Sequence, residues 1–228
     1  MPAGKLFESF DESWQSFLER REPLESFLEE VPSDLPAGNR AVAWLLRPGA
    51  ETQKRAVAAQ DSLPPFPWLR RLAPSFLHVF VGPVAWEGDI DLAAEVARGR
   101  AVLAEVEPFE LRVPRLTCFH TAVVAEIEPT VPVVDLHERL FPGRDTASLL
   151  PHMTLAVFTE PTLPDSLRAA LVLLRHTDLG RFTVNEVALC LIPWTRATVL
   201  EPWEIAGAAL LAGAGSGTRT PPPVDSRR

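Results

Sequence analysis

The stretch Leu149-Leu150-Pro151-His152-Met153-Thr154-Leu155-Ala156-Val157-Phe158 is an apolar run interrupted by one imidazole and one hydroxyl. His152 and Thr154 are two positions apart, so in a strand both emerge on one face. Met153, Leu155 and Val157 then emerge on the other, where they can pack into a core. An imidazole exchanges protons near neutral pH, and a hydroxyl beside it is a hydrogen-bond donor for a phosphoryl oxygen. That pair suits phosphate chemistry. A lone histidine in such a run equally suits a hydrogen-bonded core position, so the reading turns on whether the chain holds a second copy.

It does. Ser75-Phe76-Leu77-His78-Val79-Phe80-Val81-Gly82 is another apolar run with a histidine in its middle. From His78 to Phe109 is 31 positions, and from His152 to Phe182 is 30. The strings that follow also match, Phe109-Glu110-Leu111-Arg112-Val113 against Phe182-Thr183-Val184-Asn185-Glu186-Val187. Such an internal duplication commonly packs about a pseudo-twofold axis. Two histidines 74 positions apart then face one cleft. No carboxylate cluster or His/Cys spacing suggests a metal, and no cofactor is expected.

The elements that must position these side chains repeat in order. Residues 41–46 predict a strand, 51–62 a helix closed by Pro64, Pro65 and Pro67, 75–82 the first histidine strand, 89–106 a helix and 109–113 a strand. In the second half, 119–127 predicts a strand with His120 in its middle, 133–141 a helix, then the His152 strand. A helix over 164–176 and strands over 182–192 and 199–206 follow. The class is α+β: two pseudo-symmetric strand-helix lobes, roughly 39–116 and 117–211, with antiparallel-rich sheets flanking a central cleft. Residues 1–38 form a helical N-terminal extension, in which Phe7, Phe10, Trp14, Phe17 and Leu18 recur at helical spacing. Residues 212–228, rich in Gly, Ser, Thr, Pro and Arg, predict a disordered tail.

Composition narrows the partners. A net charge of −8 argues against a nonspecific grip on duplex DNA, yet a local arginine cluster would still serve a small nucleotide or an RNA end. No apolar stretch reaches the roughly 18 residues needed to span a bilayer, and the N-terminus lacks a signal core. Cys118 and Cys190 lie in apolar segments and read as buried thiols of a reducing compartment. The expected location is cytoplasmic. Oligomeric state is not encoded in any feature.

A chain of two strand-helix lobes, each with a His-x-Thr/Ser strand, resembles the two-histidine phosphoesterase superfamily, in its 2′-5′ RNA ligase-like (LigT-like) and cyclic phosphodiesterase group. His152-Met153-Thr154-Leu155, preceded by Pro151, fits the pattern. His78-Val79-Phe80-Val81 keeps the histidine and has phenylalanine where the hydroxyl belongs. The resemblance spans roughly residues 40–207.

That resemblance implies a metal-independent phosphodiesterase acting on a 2′,3′-cyclic phosphate or a 2′-5′-linked nucleotide or RNA end. His78 and His152 would be the catalytic acid and base, one on each side of phosphorus, with the assignment between them open. Thr154 would bind phosphate. Phe80 either stacks a base or fills the cleft and abolishes catalysis. The alternative is therefore a degenerate nucleotide- or RNA-binding module of the same fold. His120, Arg115 and Trp194 are further candidates for lining the cleft, with Arg112 and Arg196 on its rim. His137 and His176 are expected on polar helix surfaces or helix ends.

Overall fold

Ser9 accepts a hydrogen bond from the Glu12 backbone N–H at 3.1 Å, capping the helix that opens the described part of the chain. The computed structural model describes residues 9–213 apart from 34, 37, 147–148, 163–164 and 202, and not the side chain of Ser166. The order is α1 (Phe10–Glu19), α2 (Phe27–Glu30), β1 (Arg40–Leu46), α3 (Ala50–Asp61), β2 (Leu69–Arg71), β3 (Val79–Trp86), α4 (Leu92–Leu103), β4 (Phe109–Arg112), β5 (Leu116–Cys118), β6 (Ala122–Glu126), α5 (Val131–Leu140), β7 (His152–Phe158), α6 (Asp165–Leu174), β8 (Arg181–Val184), β9 (Glu186–Pro193) and β10 (Glu204–Leu210). Among the described residues no helix is long and apolar enough to cross a membrane.

Eight strands form one sheet in the order β10-β9-β1-β3-β7-β6-β5, with β2 also on β7, and β4 pairs with β8 in a second, two-stranded sheet. Every pairing is antiparallel, so the class is α+β. The strands do not sort by sequence half. β9 and β10 flank β1 and β3, while β2 and β5 lie with β6 and β7. The matched strings at 109–113 and 182–187 supply β4 and β8, which pair with each other through Leu111 and Phe182.

All four helices α3 to α6 cover one face of the large sheet. Val42, Trp44 and Leu46 of β1, Val79 and Val81 of β3, and Met153 and Leu155 of β7 pack there against Ala56 and Ala59 of α3, Val96 and Leu103 of α4, and Val133, Leu136 and Leu140 of α5. α6 adds Leu167 and Leu171 against Cys118, Val123, Ala156 and Phe158. Burying such side chains is the main favourable term in folding. Gly99 brings α4 close: a Cβ there would lie 2.4 Å from the fully buried Trp44 ring, whose indole N–H donates to Glu95 at 2.8 Å. Both cysteines are buried and free, and burial raises their thiol pKa, Cys190 to about 12.

The opposite face carries Ala43, Leu45, Ala188, Cys190, Ile192 and Phe80 on one side and Ala122, Val124 and Val157 on the other. No core helix covers it. Phe27 of α2 and Trp194, Leu200 and Trp203 pack over it instead, joined by Phe27 and Trp194 at 6.4 Å between ring centroids and by the Arg196 side chain donating to the Val31 carbonyl at 3.1 Å.

Several expectations change. Val157 lies on this open face, not with Met153 and Leu155, because a β-bulge shifts the β6–β7 register between Val123 and Val124 and inverts the alternation along β7. The strand predicted over 119–127 starts later, as β6 at Ala122, and His120 lies in the turn between it and the preceding β5. The run 182–192 breaks at Asn185 into β8 and β9, and the last strand starts at Glu204, after Pro202 rather than across it. His137 is buried in α5 and bonds the Val81 carbonyl at 2.7 Å, not the solvent. The predicted tail lies outside the described residues from 214 onward.

Candidate active site

The two halves of the large sheet meet at β3 and β7, where Val79 and Met153 are direct antiparallel partners. Each paired residue is preceded by a histidine. Continuing the register, His78 lies opposite Thr154 and His152 opposite Phe80, and all four side chains project from the open face. By strand geometry the His78 and His152 backbones are about 8 Å apart.

Both imidazoles are held alike. His78 Nδ1 lies 2.6 Å from the Phe76 carbonyl, and His152 Nδ1 lies 2.8 Å from the Leu150 carbonyl. A carbonyl only accepts, so each Nδ1 carries the proton and each Nε2 presents a lone pair. The sequence reaches this geometry by two routes. A 3₁₀ turn at Pro74–Phe76 aims the first carbonyl. Pro151 restricts Leu150 to extended backbone, which aims the second.

Aromatic rings wall the pair. The Phe119 ring meets His152 edge-on at 4.7 Å, and Trp203 and Phe76 meet His78 edge-on at 6.0 and 5.6 Å. Burial therefore pushes the His78 pKa down to about 4, against the carbonyl bond, with a smaller lowering from His152. Burial also lowers that of His152, opposed by its carbonyl bond. Neither imidazole is shifted by a guanidinium, ammonium or carboxylate group. At neutral pH both are uncharged.

Of the other predicted residues, Thr154 and Phe80 are half-buried on the histidine face, Phe80 packing with Trp194 and Trp203. His120 and Arg115 have other polar partners. His120 sits 3.5 Å from Glu25, and its carbonyl accepts from the Glu25 N–H at 2.9 Å, so it anchors the N-terminal segment. Arg115 is taken up by Glu126 and Glu128, each at 2.9 Å. Arg112 pairs with Asp178 at 2.9 Å. Phe119 and Trp203 escaped the sequence reading: one lies in a turn and the other precedes an edge strand, so no periodicity flags either. An open groove of about 740 Å³ runs nearby, lined by Phe10, Arg112, Glu128, Thr130, Leu150 and Arg181 among others, and holds neither histidine.

Known structures share this architecture. TT0787 of Thermus thermophilus is 17% identical, with a TM-score of 0.57 over 76% of this chain and 98% of that one. E. coli LigT complexed with ATP is 14% identical, with a TM-score of 0.58 over 76% and 99%. A protein described as a phosphoesterase scores 0.57 at 14% identity over 76% and 98%. No curated protein sequence matches. An α+β fold of this kind with paired histidine strands is that of the LigT-like two-histidine phosphoesterases. The chain belongs to the 2′-5′ RNA ligase superfamily, whose family model matches residues 77–192.

Proposed function

We propose that this protein is a metal-independent phosphodiesterase that opens a 2′,3′-cyclic phosphate, or cleaves a 2′-5′ linkage, on a small nucleotide or RNA end. The observation that carries the reading is the matched tethering of His78 and His152, which leaves both Nε2 atoms available on one face of the β3–β7 junction. One imidazole removes a proton from water as its oxygen bonds to phosphorus. The other delivers a proton to the ribose oxygen as the P–O bond breaks. His78, lowered by burial and additionally by its partner, suits the neutral base. His152 then serves as the acid, protonated once an anionic phosphate offsets its desolvation. Thr154 donates to a non-bridging oxygen. Structures of LigT complexed with ATP, NADP+ and 3′-AMP motivate a nucleotide probe.

The test is hydrolysis of 2′,3′-cyclic AMP in the presence of a chelator. Wild type should form a nucleoside monophosphate, and His152→Ala and His78→Ala should each lose about 10²–10⁴-fold in kcat while remaining folded. Wild-type turnover in either variant would overturn the mechanism. A second reading, a binding module without turnover, is favoured by one observation: Phe80 removes a hydroxyl from the first motif and packs with Trp194 and Trp203. Nucleotide binding by calorimetry with no product from any phosphodiester would select it.

A further inference from the structure

The first histidine motif lacks its hydroxyl, yet the wall beside His78 holds another donor. Trp203 precedes β10 and meets the His78 ring edge-on, with centroids 6.0 Å apart and planes at 84°. It also packs in the cluster that contains Phe80 and Trp194. Its indole nitrogen is buried and has no hydrogen-bond partner among the described residues. An indole N–H is a donor only. A buried donor without an acceptor is destabilising, and a functional role is one of the reasons native proteins keep such a group. Trp44, the fully buried tryptophan of β1, shows the contrast: its N–H is satisfied by Glu95 at 2.8 Å.

We propose that Trp203 is a phosphate ligand of the two-histidine site, its indole N–H donating to a non-bridging oxygen in place of the hydroxyl that Phe80 removes. This rests on the phosphodiesterase reading. Trp203 transfers no proton. It stabilises the negative charge that grows on the phosphoryl oxygen as water bonds to phosphorus. Thr154 from the second motif and Trp203 beside the first then hold two non-bridging oxygens, which restores in function the symmetry that the sequence has lost. Thr154 and Trp203 are neutral donors and the protonated acid His152 supplies a single positive charge, so the substrate class they fit is a singly charged phosphodiester.

The experiment compares wild type, Trp203→Phe, Phe80→Thr and the double variant on 2′,3′-cyclic AMP. It is paired with ¹⁵N NMR of the indole resonances during titration with inorganic phosphate. Trp203→Phe keeps an aromatic ring and removes the N–H. It should lower kcat by about 100-fold or more, with KM changed much less. Adding Phe80→Thr to that variant should recover part of the loss, because a hydroxyl returns to the first motif. The Trp203 indole resonance, assigned by its absence in Trp203→Phe, should shift downfield with phosphate. Full kcat in Trp203→Phe together with an unmoved resonance would overturn the proposal while leaving the hydrolase intact. An inert wild type whose Trp203 resonance still moves with phosphate would defeat the hydrolase reading and support the donor.

Discussion

Val79 and Met153 are paired across β3 and β7, and His78 and His152 stand one residue before them on opposite strands. In an antiparallel pair, positions offset equally from a paired residue are related by a local twofold axis normal to the sheet. The two imidazoles therefore approach a common centre from opposite directions, diagonally, with Thr154 and Phe80 completing the quartet. In the proposed mechanism that diagonal would put one nitrogen on either side of the phosphorus, as in-line displacement requires.

The histidines make the fold acid-sensitive. The folded His78 pKa, about 4, lies below the ordinary 6.5, so the unfolded chain binds more protons between those values. Stability is then constant above about pH 6.5 and falls as pH drops toward 4, by up to about 3 kcal/mol from this ring. His152 acts in the same direction. Urea unfolding at pH 7.5, 6 and 4.5 should show the decline, and His78→Gln should flatten it. An equal slope in the variant would assign the acid sensitivity to other groups.

Glu126 faces the same strand position as His152 and is fully buried. Arg175 bonds it, donates to the Leu116 carbonyl and lies over the Trp14 ring at 4.7 Å. Arg175→Met should cost about 3–5 kcal/mol, the scale for stranding a buried charge, partly offset because Arg115 remains on Glu126. A loss under about 1 kcal/mol in denaturant unfolding would show that Arg115 suffices.

Much of this was legible in the sequence. Apolar runs and proline stops located most strands and helices, and the near-equal spacing after His78 and His152 picked out the strings that become β4 and β8, which pair with each other. What periodicity could not show was strand exchange between halves, since sheet order depends on long-range pairing. It also missed the β7 bulge, which needs one extra residue with no compositional mark, and so misplaced Val157. Arg115 and His120 are candidates because charge and imidazole are visible in a sequence, whereas the carboxylates that engage them, Glu126 and Glu128 for Arg115 and Glu25 for His120, are not. Trp203 was passed over for the converse reason: an unpartnered N–H has no signature in residue type.

Phe80→Thr separates packing from chemistry. The ring is half-buried against Trp194 and Trp203, so its loss should destabilise by about 2–4 kcal/mol, toward the lower end of large-to-small substitutions. If Trp203 already supplies the donor, the new hydroxyl is largely redundant, and kcat should rise less than about tenfold. A rise of the full 10²–10³ that one oxyanion donor contributes would mean that the wild-type site is short of a ligand.

If the site works as proposed, its charge selectivity follows from how few cations it offers. Both imidazoles are uncharged at neutral pH, and no arginine or lysine shifts either one. A desolvated site whose one cation is the protonated acid His152 accepts a monoanion more readily than a dianion, because the second charge gives up its hydration without a compensating cation. The cyclic diester is a monoanion at every pH of interest, whereas the product phosphomonoester becomes a dianion above about pH 6. Product should therefore inhibit weakly at pH 7.5 and more strongly at pH 5.5, while KM for the cyclic substrate stays nearly level. The inhibition constant of adenosine 3′-monophosphate across that range is the measurement. Tighter product binding at pH 7.5 than at 5.5 would require a further cation beside the phosphate, besides the protonated acid, and would sink this account.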